Sequence, residues 1–210
     1  MVKIKICGIT TEQAAKTAIE SGADFLGFVF YPKSPRHITL DTAKSLISSL
    51  PEKISKVGLL VDPEDQDIEA ITQSRSFDYL QLHGHEAPER VKEIKHQHPE
   101  IGIIKSLSIT QESDVKRAVN YSHYVDWFLF DAPVASLPGG NGTPFDWNLV
   151  KSVQIEKPWF LAGGLNAGNV HEAIHTTRPS GVDVSSGVEC EPGKKDLKKI
   201  KEFITAAKER

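Results

Sequence analysis

Short apolar segments alternate with longer segments of helical periodicity eight times along the chain. The apolar segments, rich in β-branched and aromatic residues, predict strands at 3–7, 24–30, 55–61, 78–82, 102–107, 126–131, 158–162 and 181–184. The segments between them predict helices at 11–20, 40–49, 64–74, 87–97, 111–120, 146–153, 168–175 and 194–207. Several strands are almost wholly apolar, which is typical of parallel strands covered on both faces.

This alternation predicts an α/β fold, a compact (β/α)8 TIM barrel that occupies residues 1–210 as a single domain. A doubly wound sheet would explain the alternation equally well, but eight units with no segment left over favour a closed barrel. In such a barrel the loops that follow the strands gather on one face. Functional residues are therefore expected just past the strand ends.

Two helix starts carry recognisable signals. Thr10 precedes the first predicted helix, with Glu12 in its opening turn, and Asp62-Pro63-Glu64 opens the third. Side-chain oxygens satisfy free N–H groups at a helix start, and proline fits the first turn. We expect Thr10 and Asp62 to act as caps.

The composition limits the classes of partner. The formal net charge of −3 gives no global field for nucleic acid or an anionic membrane, so any anion must be bound locally. The N-terminal segment lacks an apolar signal core, and no later run has the length of a membrane span, so a cytoplasmic protein is predicted. Cys7 and Cys190 are too few for a disulfide scaffold and lack zinc-ligand spacing.

Two candidate proton-transfer residues end predicted strands. Cys7 ends the first strand beside Gly8, and Asp131 ends the sixth after the apolar run 127–130. A cysteine is often only a small buried hydrophobe, and an aspartate here could be a helix cap. Their position at the barrel mouth favours function. A thiol acts as a base only after it ionises, which requires nearby positive charge, whereas a partly desolvated carboxyl can donate a proton.

Other polar residues follow the second and fourth strands. Gln81 and His83 alternate onto the same side of the fourth strand, where we expect His83 to support the site rather than catalyse. Arg36 ends a proline-bracketed loop, and its planar guanidinium suits bidentate recognition of a carboxylate. All three are predicted to bind substrate.

The last quarter of the chain predicts a phosphate site. The loops after strands seven and eight are rich in small and polar residues, and these two loops form phosphate sites in many barrels. The predicted substrate-binding residues here are Gly163, Gly164, Asn166, Asp183, Ser185, Ser186 and Gly187. A further candidate is Gly140, in a glycine-rich loop after strand six that could close over the substrate.

Taken together, these motifs resemble those of phosphoribosylanthranilate isomerase over the whole chain. The resemblance is carried by Lys5-Ile6-Cys7-Gly8-Ile9-Thr10, Ser34-Pro35-Arg36, Gln81-Leu82-His83-Gly84, Asp131, Gly139-Gly140-Asn141-Gly142 with Phe145-Asp146-Trp147, Ala162-Gly163-Gly164-Leu165, and Asp183 with Ser185-Ser186-Gly187-Val188-Glu189. One departure is Thr143-Pro144, where many relatives have a basic or polar residue.

The resemblance implies the Amadori rearrangement of N-(5′-phosphoribosyl)anthranilate in tryptophan biosynthesis, a small phosphorylated substrate, and neither a metal nor an organic cofactor. By the same resemblance Cys7 is the general base, Asp131 is the general acid and Arg36 holds the anthranilate carboxylate. The loops after strands seven and eight would hold the phosphate.

Two other functions remain open. An isomerase for the histidine-pathway aminoaldose usually works with two aspartates, and Cys7 occupies the place of one of them. A noncatalytic barrel that binds a phosphorylated metabolite is the second alternative, and the pair of acid and base candidates argues against it. The sequence does not predict whether the chain is a monomer or a homodimer.

Overall fold

A computed structural model of the protein describes residues 1–131, 146–151 and 155–209. Within these residues, eight parallel strands close into a barrel in chain order, and β1 pairs with β8. The strands are β1 Lys3–Cys7, β2 Phe25–Val29, β3 Ser55–Leu60, β4 Tyr79–Leu82, β5 Gly102–Ser108, β6 Trp127–Asp131, β7 Trp159–Leu161 and β8 Gly181–Val184. The predicted (β/α)8 barrel is confirmed.

Helices connect the successive strands on the outside of the barrel. They are α1 Glu12–Ser21, α2 Leu40–Ile47, α3 Asp65–Gln73, α4 Pro88–Gln97, α5 Glu112–Lys116, α6 Asn148–Lys151, α7 Val170–Thr177 and α8 Leu197–Lys208. Short 3-10 helices cover Arg117–Tyr121 and Ser186–Val188, and a hairpin of β9 Glu189–Glu191 and β10 Lys194–Lys195 precedes α8. Most boundaries lie within two residues of the predicted ones. The predicted end of the sixth helix, at 152–153, falls outside the described residues.

The predicted start of the eighth helix at residue 194 is wrong. Lys194 and Lys195 pair antiparallel with Glu191 and Glu189 instead. The helix begins only after Asp196, whose carboxylate accepts hydrogen bonds from the first backbone N–H groups of α8. The hairpin carries Lys195 back toward the barrel mouth, where its Nζ atom donates to the carbonyl oxygen of Ser185 at 3.0 Å.

Both predicted helix caps are shifted along the chain. Thr11, not Thr10, caps α1: its backbone is extended and its side chain accepts from the N–H of Ala14. Glu64, not Asp62, caps α3, in a reciprocal capping box with the third residue of the helix. Asp62 has a left-handed backbone (φ 47°) and accepts from the N–H of His85, so it joins two loops at the barrel mouth.

The strands separate two apolar layers. Ile4 and Ile6 point outward into the core between barrel and helices, while Lys5 and Cys7 point into the barrel. Inside, aromatic rings fill the end at which the strands begin: Phe25 packs edge-on against Phe160, with ring centroids 5.2 Å apart. This end of the barrel is a packed core, and polar side chains occupy the opposite end.

A repeated hydrogen bond fastens the same end of the barrel. Asp24, Asp78 and Asp126 each stand immediately before an even-numbered strand and accept from the backbone N–H of the second residue of the preceding strand. The three distances are 3.0, 2.7 and 2.8 Å. Ser180 occupies the corresponding place before β8. These aspartates secure strand ends that lie far from the predicted site.

Candidate active site

Two adjoining clefts open at the carboxyl ends of the strands. One contains Cys7 and Arg36, and the other is formed by the loops after β7 and β8. Asp131, Asp183 and Ser185 line both clefts, so they form one continuous site. The structure therefore brings together side chains that the sequence places between residues 7 and 187.

Cys7 is buried at the end of β1, with 4% of its surface exposed. The absence of a side chain at Gly27 on the neighbouring strand makes room for it, because a Cβ there would lie 2.8 Å from the Cys7 sulfur. Burial raises the pKa of the Cys7 thiol, and the nearby Lys5 ammonium opposes that effect. The thiol lies in the cleft, and its ionisation depends on the charges around it.

Lys5 lies on the same face of β1 as Cys7 and is fully buried. Its Nζ is 2.7 Å from Oδ1 of Asp183 on β8, and its charge acts on the neighbouring Cys7 thiol. Burial alone would lower the pKa of Lys5, but Asp183 and Cys7 raise it above the usual value, so the ammonium keeps its charge. Lys5 was not among the predicted site residues. The period of two within 3–7 was the signal that could have identified it.

Asp131 faces His83 across the barrel mouth. The Nε2 atom of His83 is 3.4 Å from Oδ2 of Asp131, and its Nδ1 atom is 2.8 Å from Nε2 of Gln81. If the Gln81 amide donates this bond, the His83 proton lies on Nε2, toward Asp131. Gln81 is fully buried, and its Oε1 has no hydrogen-bond partner among the described residues, although Gln81 lines the cleft.

Arg36 is held from behind by a carboxylate. Its Nε and Nη2 atoms donate to the two carboxylate oxygens of Glu189, each at 2.8 Å. Lys195, from the β9–β10 hairpin, donates to the same carboxylate at 2.8 Å. These two cations lower the pKa of Glu189 although its burial acts in the opposite direction. The sequence predicted Arg36 but neither Glu189, which holds it, nor Lys195, because both lie more than 150 positions further along the chain.

The loops after β7 and β8 meet in the second cleft. Gly163, Gly164, Ser185, Ser186 and Gly187 all line it, as the sequence predicted. Gly163 and Gly164 have positive φ values of 82° and 67°, which glycine adopts without strain. A side chain at Gly187 would collide with the carbonyl oxygen of Leu165 in the neighbouring loop. Small residues are therefore required for this close approach.

One predicted substrate-binding residue of these two loops, Asn166, is not among the residues that line this cleft. Asn166 is exposed, and its side-chain oxygen accepts from the N–H of Gly168 within its own loop at 2.8 Å. Its observed contacts shape the loop after β7. Gly140 and the rest of the predicted closing loop lie outside the described residues.

A buried ion pair fixes the loop that carries His83. Lys105 on β5 donates to Glu86 at 2.7 Å and also to the carbonyl oxygen of Gly84 at 3.0 Å. Glu86 in turn accepts from the N–H groups of Asp62 and Gly84. Burial lowers the pKa of Lys105, and Glu86 opposes that effect. This network ties the loops after β3 and β4 to strand β5 beside the site.

A larger groove on the outer surface holds none of the predicted site residues; Val115, Leu149 and Ile155 contribute to its lining. Throughout the described ranges, no cluster of three or more histidine, cysteine or acidic side chains has metal-binding geometry. The helices of the described part of the chain are also too short or too polar to span a membrane.

Known proteins resemble this chain along nearly its whole length. Residues 4–206 match the sequence profile of N-(5′-phosphoribosyl)anthranilate isomerase. The enzyme of that name from Paracoccus denitrificans is 46% identical over 209 residues, which cover 98% of this chain and 97% of the relative. Phosphoribosyl anthranilate isomerase from Thermotoga maritima is 41% identical in sequence to this chain. Its crystal structure superimposes with a TM-score of 0.90, and the match covers 99% of both chains.

A second crystal structure of such an enzyme contains reduced 1-(o-carboxyphenylamino)-1-deoxyribulose 5-phosphate. That protein is 40% identical to this chain, with a TM-score of 0.85 and 99% coverage of each. Family profile, sequence identity and barrel geometry agree along the chain. The chain belongs to the N-(5′-phosphoribosyl)anthranilate isomerase family.

Proposed function

We propose that this protein converts N-(5′-phosphoribosyl)anthranilate to 1-(2-carboxyphenylamino)-1-deoxyribulose 5-phosphate in tryptophan biosynthesis, with Cys7 as general base and Asp131 as general acid. The observation that carries the proposal is that Cys7 and Asp131 line one cleft, on strands β1 and β6. Arg36 lines the same cleft, and the glycine-rich loops adjoin it. This arrangement suits a substrate with a carboxylate at one end and a phosphate at the other.

In the first step Asp131 gives its proton to the ring oxygen of the ribose. The bond between that oxygen and C1′ breaks, and the nitrogen lone pair forms a C=N bond to C1′, which yields a protonated Schiff base. His83, 3.4 Å from Oδ2 of Asp131, would orient the acid during this transfer. Gln81 would in turn fix the orientation of the His83 ring.

In the second step the Cys7 thiolate takes the proton from C2′. The electrons of that C–H bond form a C1′=C2′ double bond, and the C=N electrons return to nitrogen, giving an enolamine. Tautomerisation then adds a proton to C1′ and removes one from the 2′ hydroxyl, which becomes the ketone. No atoms are gained or lost, and the proposal assigns every proton transfer to Asp131, to Cys7 or to tautomerisation, without a metal or an organic cofactor.

Substrate binding would use the two ends of the site. Arg36 is a suitable partner for the anthranilate carboxylate because Glu189 holds its planar fork in place. Gly163, Gly164, Ser185, Ser186 and Gly187 are the candidates for the phosphate, since backbone N–H groups can approach an anion closely where side chains are small. Asp183 would act mainly through Lys5. Because the proposed base is a reduced thiol, we also propose a cytoplasmic location.

The test is a turnover assay with substrate generated in situ, monitored by loss of anthranilate-type fluorescence. We expect rapid turnover by the native protein. The turnover rate should fall by at least about a hundredfold in Cys7→Ser and in Asp131→Asn. Cys190→Ser and Asp41→Asn are matched controls, because both positions are exposed. Binding without turnover in the native protein would favour the noncatalytic alternative. Turnover of the histidine-pathway aminoaldose alone would favour the second isomerase.

A further inference from the structure

Lys195 is a buried lysine to which the proposed mechanism gives no task. Its side chain is 1% exposed, although it lies in a two-residue strand next to Lys194, whose side chain is exposed. Burying an ammonium is costly unless its protons are all used. The Nζ atom has three acceptors: the carbonyl oxygen of Ser185 at 3.0 Å, the hydroxyl of Ser185 at 3.3 Å and Glu189 at 2.8 Å. Three acceptors match the three protons of a charged ammonium.

The contacts of Lys195 lead through Ser185 to the backbone of Cys7, the proposed base. Ser185 follows β8 and lies beside Cys7 at the seam where the barrel closes, and its hydroxyl donates to the Cys7 carbonyl oxygen at 3.2 Å. The same hydroxyl is the one that accepts from Lys195. One serine therefore links the ammonium to the end of β1. Because all three Nζ protons are used in these bonds, Lys195 acts on the sulfur through its charge.

The charges around Cys7 do not cancel. Lys5 is paired with Asp183, which makes that pair neutral. Glu189, in contrast, is shared by two cations, Arg36 and Lys195. Two positive charges on one carboxylate leave a surplus of one positive charge in this buried cluster. The other titratable groups that line the cleft are Tyr31, His83 and Asp131, and the last two face each other.

We infer that Lys195 is a positioning residue for the reaction: with Arg36 it shares the single carboxylate of Glu189, and the resulting positive charge stabilises the Cys7 thiolate. The inference rests on the proposed role of Cys7 as base. Burial raises the pKa of the Cys7 thiol, and both Lys195 and Lys5 act in the opposite direction. Without this charge, the Cys7 thiol would ionise only at a still higher pH.

Titration of the thiol tests the inference without any need for turnover. Ultraviolet absorbance of the thiolate is followed against pH in a Cys190→Ser background, and a Cys7→Ser sample supplies the baseline. Lys195→Met is expected to move the Cys7 midpoint upward by about one pH unit. Lys195→Arg keeps the positive charge and is expected to return the Cys7 midpoint to its value in the protein with Lys195. Lys194→Met, in the same hairpin but exposed, is the matched control and is expected to leave the midpoint unchanged.

Glu189→Gln is expected to shift the Cys7 midpoint in the opposite direction. In a Lys195→Arg background, where the second cation is a guanidinium that stays charged, this substitution removes the shared anion and is expected to lower the midpoint, an effect that a merely structural residue would not produce. An unchanged midpoint in folded Lys195→Met overturns the inference. If Lys195→Met does not fold, Glu189→Gln and Lys195→Arg provide the test. An unmoved or raised Cys7 midpoint in Glu189→Gln then overturns the inference. Turnover measured in parallel separates the two proposals, since a shifted midpoint in a protein without isomerase activity would reject only the proposed function.

Discussion

Lys5 on β1 and Asp183 on β8 form an ion pair of 2.7 Å across the seam where the first and last strands of the barrel meet. Both side chains are almost completely buried. The pair joins two ends of the chain that are 178 residues apart. It also keeps a positive charge beside Cys7, so one interaction serves both barrel closure and the candidate site.

Removing one partner of this pair should be costly. Lys5→Met leaves the Asp183 carboxylate buried and unpaired, and we expect the free energy of unfolding to fall by about 3–5 kcal/mol. Lys3→Met on the same strand is the control. Its pair with Asp24 is largely exposed, so its loss should cost about 1 kcal/mol or less. Urea unfolding measures both, and similar losses in the two variants would show that the buried pair contributes little.

The buried thiol should make stability depend on pH. The pKa of Cys7 is raised by burial above its ordinary value of 9.0, so the folded protein keeps a proton that the unfolded chain loses. The resulting stabilisation is fully present below about pH 9 and is lost as the pH rises through the folded pKa. We expect the free energy of unfolding to fall more steeply above this pH in the native protein than in Cys7→Ser. Parallel pH profiles from urea unfolding would contradict the prediction.

His83 should affect the rate more than substrate binding. Its ring contacts Asp131 at 3.4 Å, so its loss would leave the proposed acid less well oriented. We expect His83→Ala to lower kcat by about tenfold to a hundredfold with little change in KM. His85→Ala is the control, because the His85 side chain is almost fully exposed two residues further along the same loop. Steady-state kinetics would argue against this role if KM rose while kcat stayed constant.

Gly187 should control binding of the phosphate. A methyl group at this position would collide with the carbonyl of Leu165 and force apart the loops after β7 and β8. We expect Gly187→Ala to raise KM and to weaken competitive inhibition by inorganic phosphate, each by about tenfold or more. Gly168→Ala is the control, since its added methyl would meet only the exposed side chain of Asn166. Equal inhibition constants for inorganic phosphate in the two variants would show that phosphate does not bind in this cleft.

The sequence predicted the parts of the site that depend on local pattern. A parallel barrel places the ends of its strands on one rim, so finding the strands was enough to bring Cys7, Asp131 and the two small-residue loops together. Arg36 and His83 were found because proline brackets and strand alternation are also local. The roles of all these residues in the reaction remain proposals.

The missed features depend on contacts between distant segments. The hairpin of β9 and β10 replaces the first turn of a predicted helix. No periodicity in the sequence indicates that Lys195 contacts Glu189. Lys105 and Glu86 meet only because β4 and β5 are neighbours in the barrel. Asn166 looked like a phosphate ligand by its place in the sequence, but a short polar side chain can bond its own loop instead.

The three aspartates at the opposite rim bear on how this protein can change. Asp24, Asp78 and Asp126 fasten the strands where no substrate is expected, and the aromatic interior beside them does not depend on the loops of the other rim. Part of the barrel's stability thus comes from the end of the strands opposite the chemistry, whereas the Lys5–Asp183 pair lies beside the site itself. Loops around Cys7 and Asp131 can therefore be exchanged or shortened to admit new substrates while the scaffold stays folded, which makes the molecule a good starting point for directed evolution.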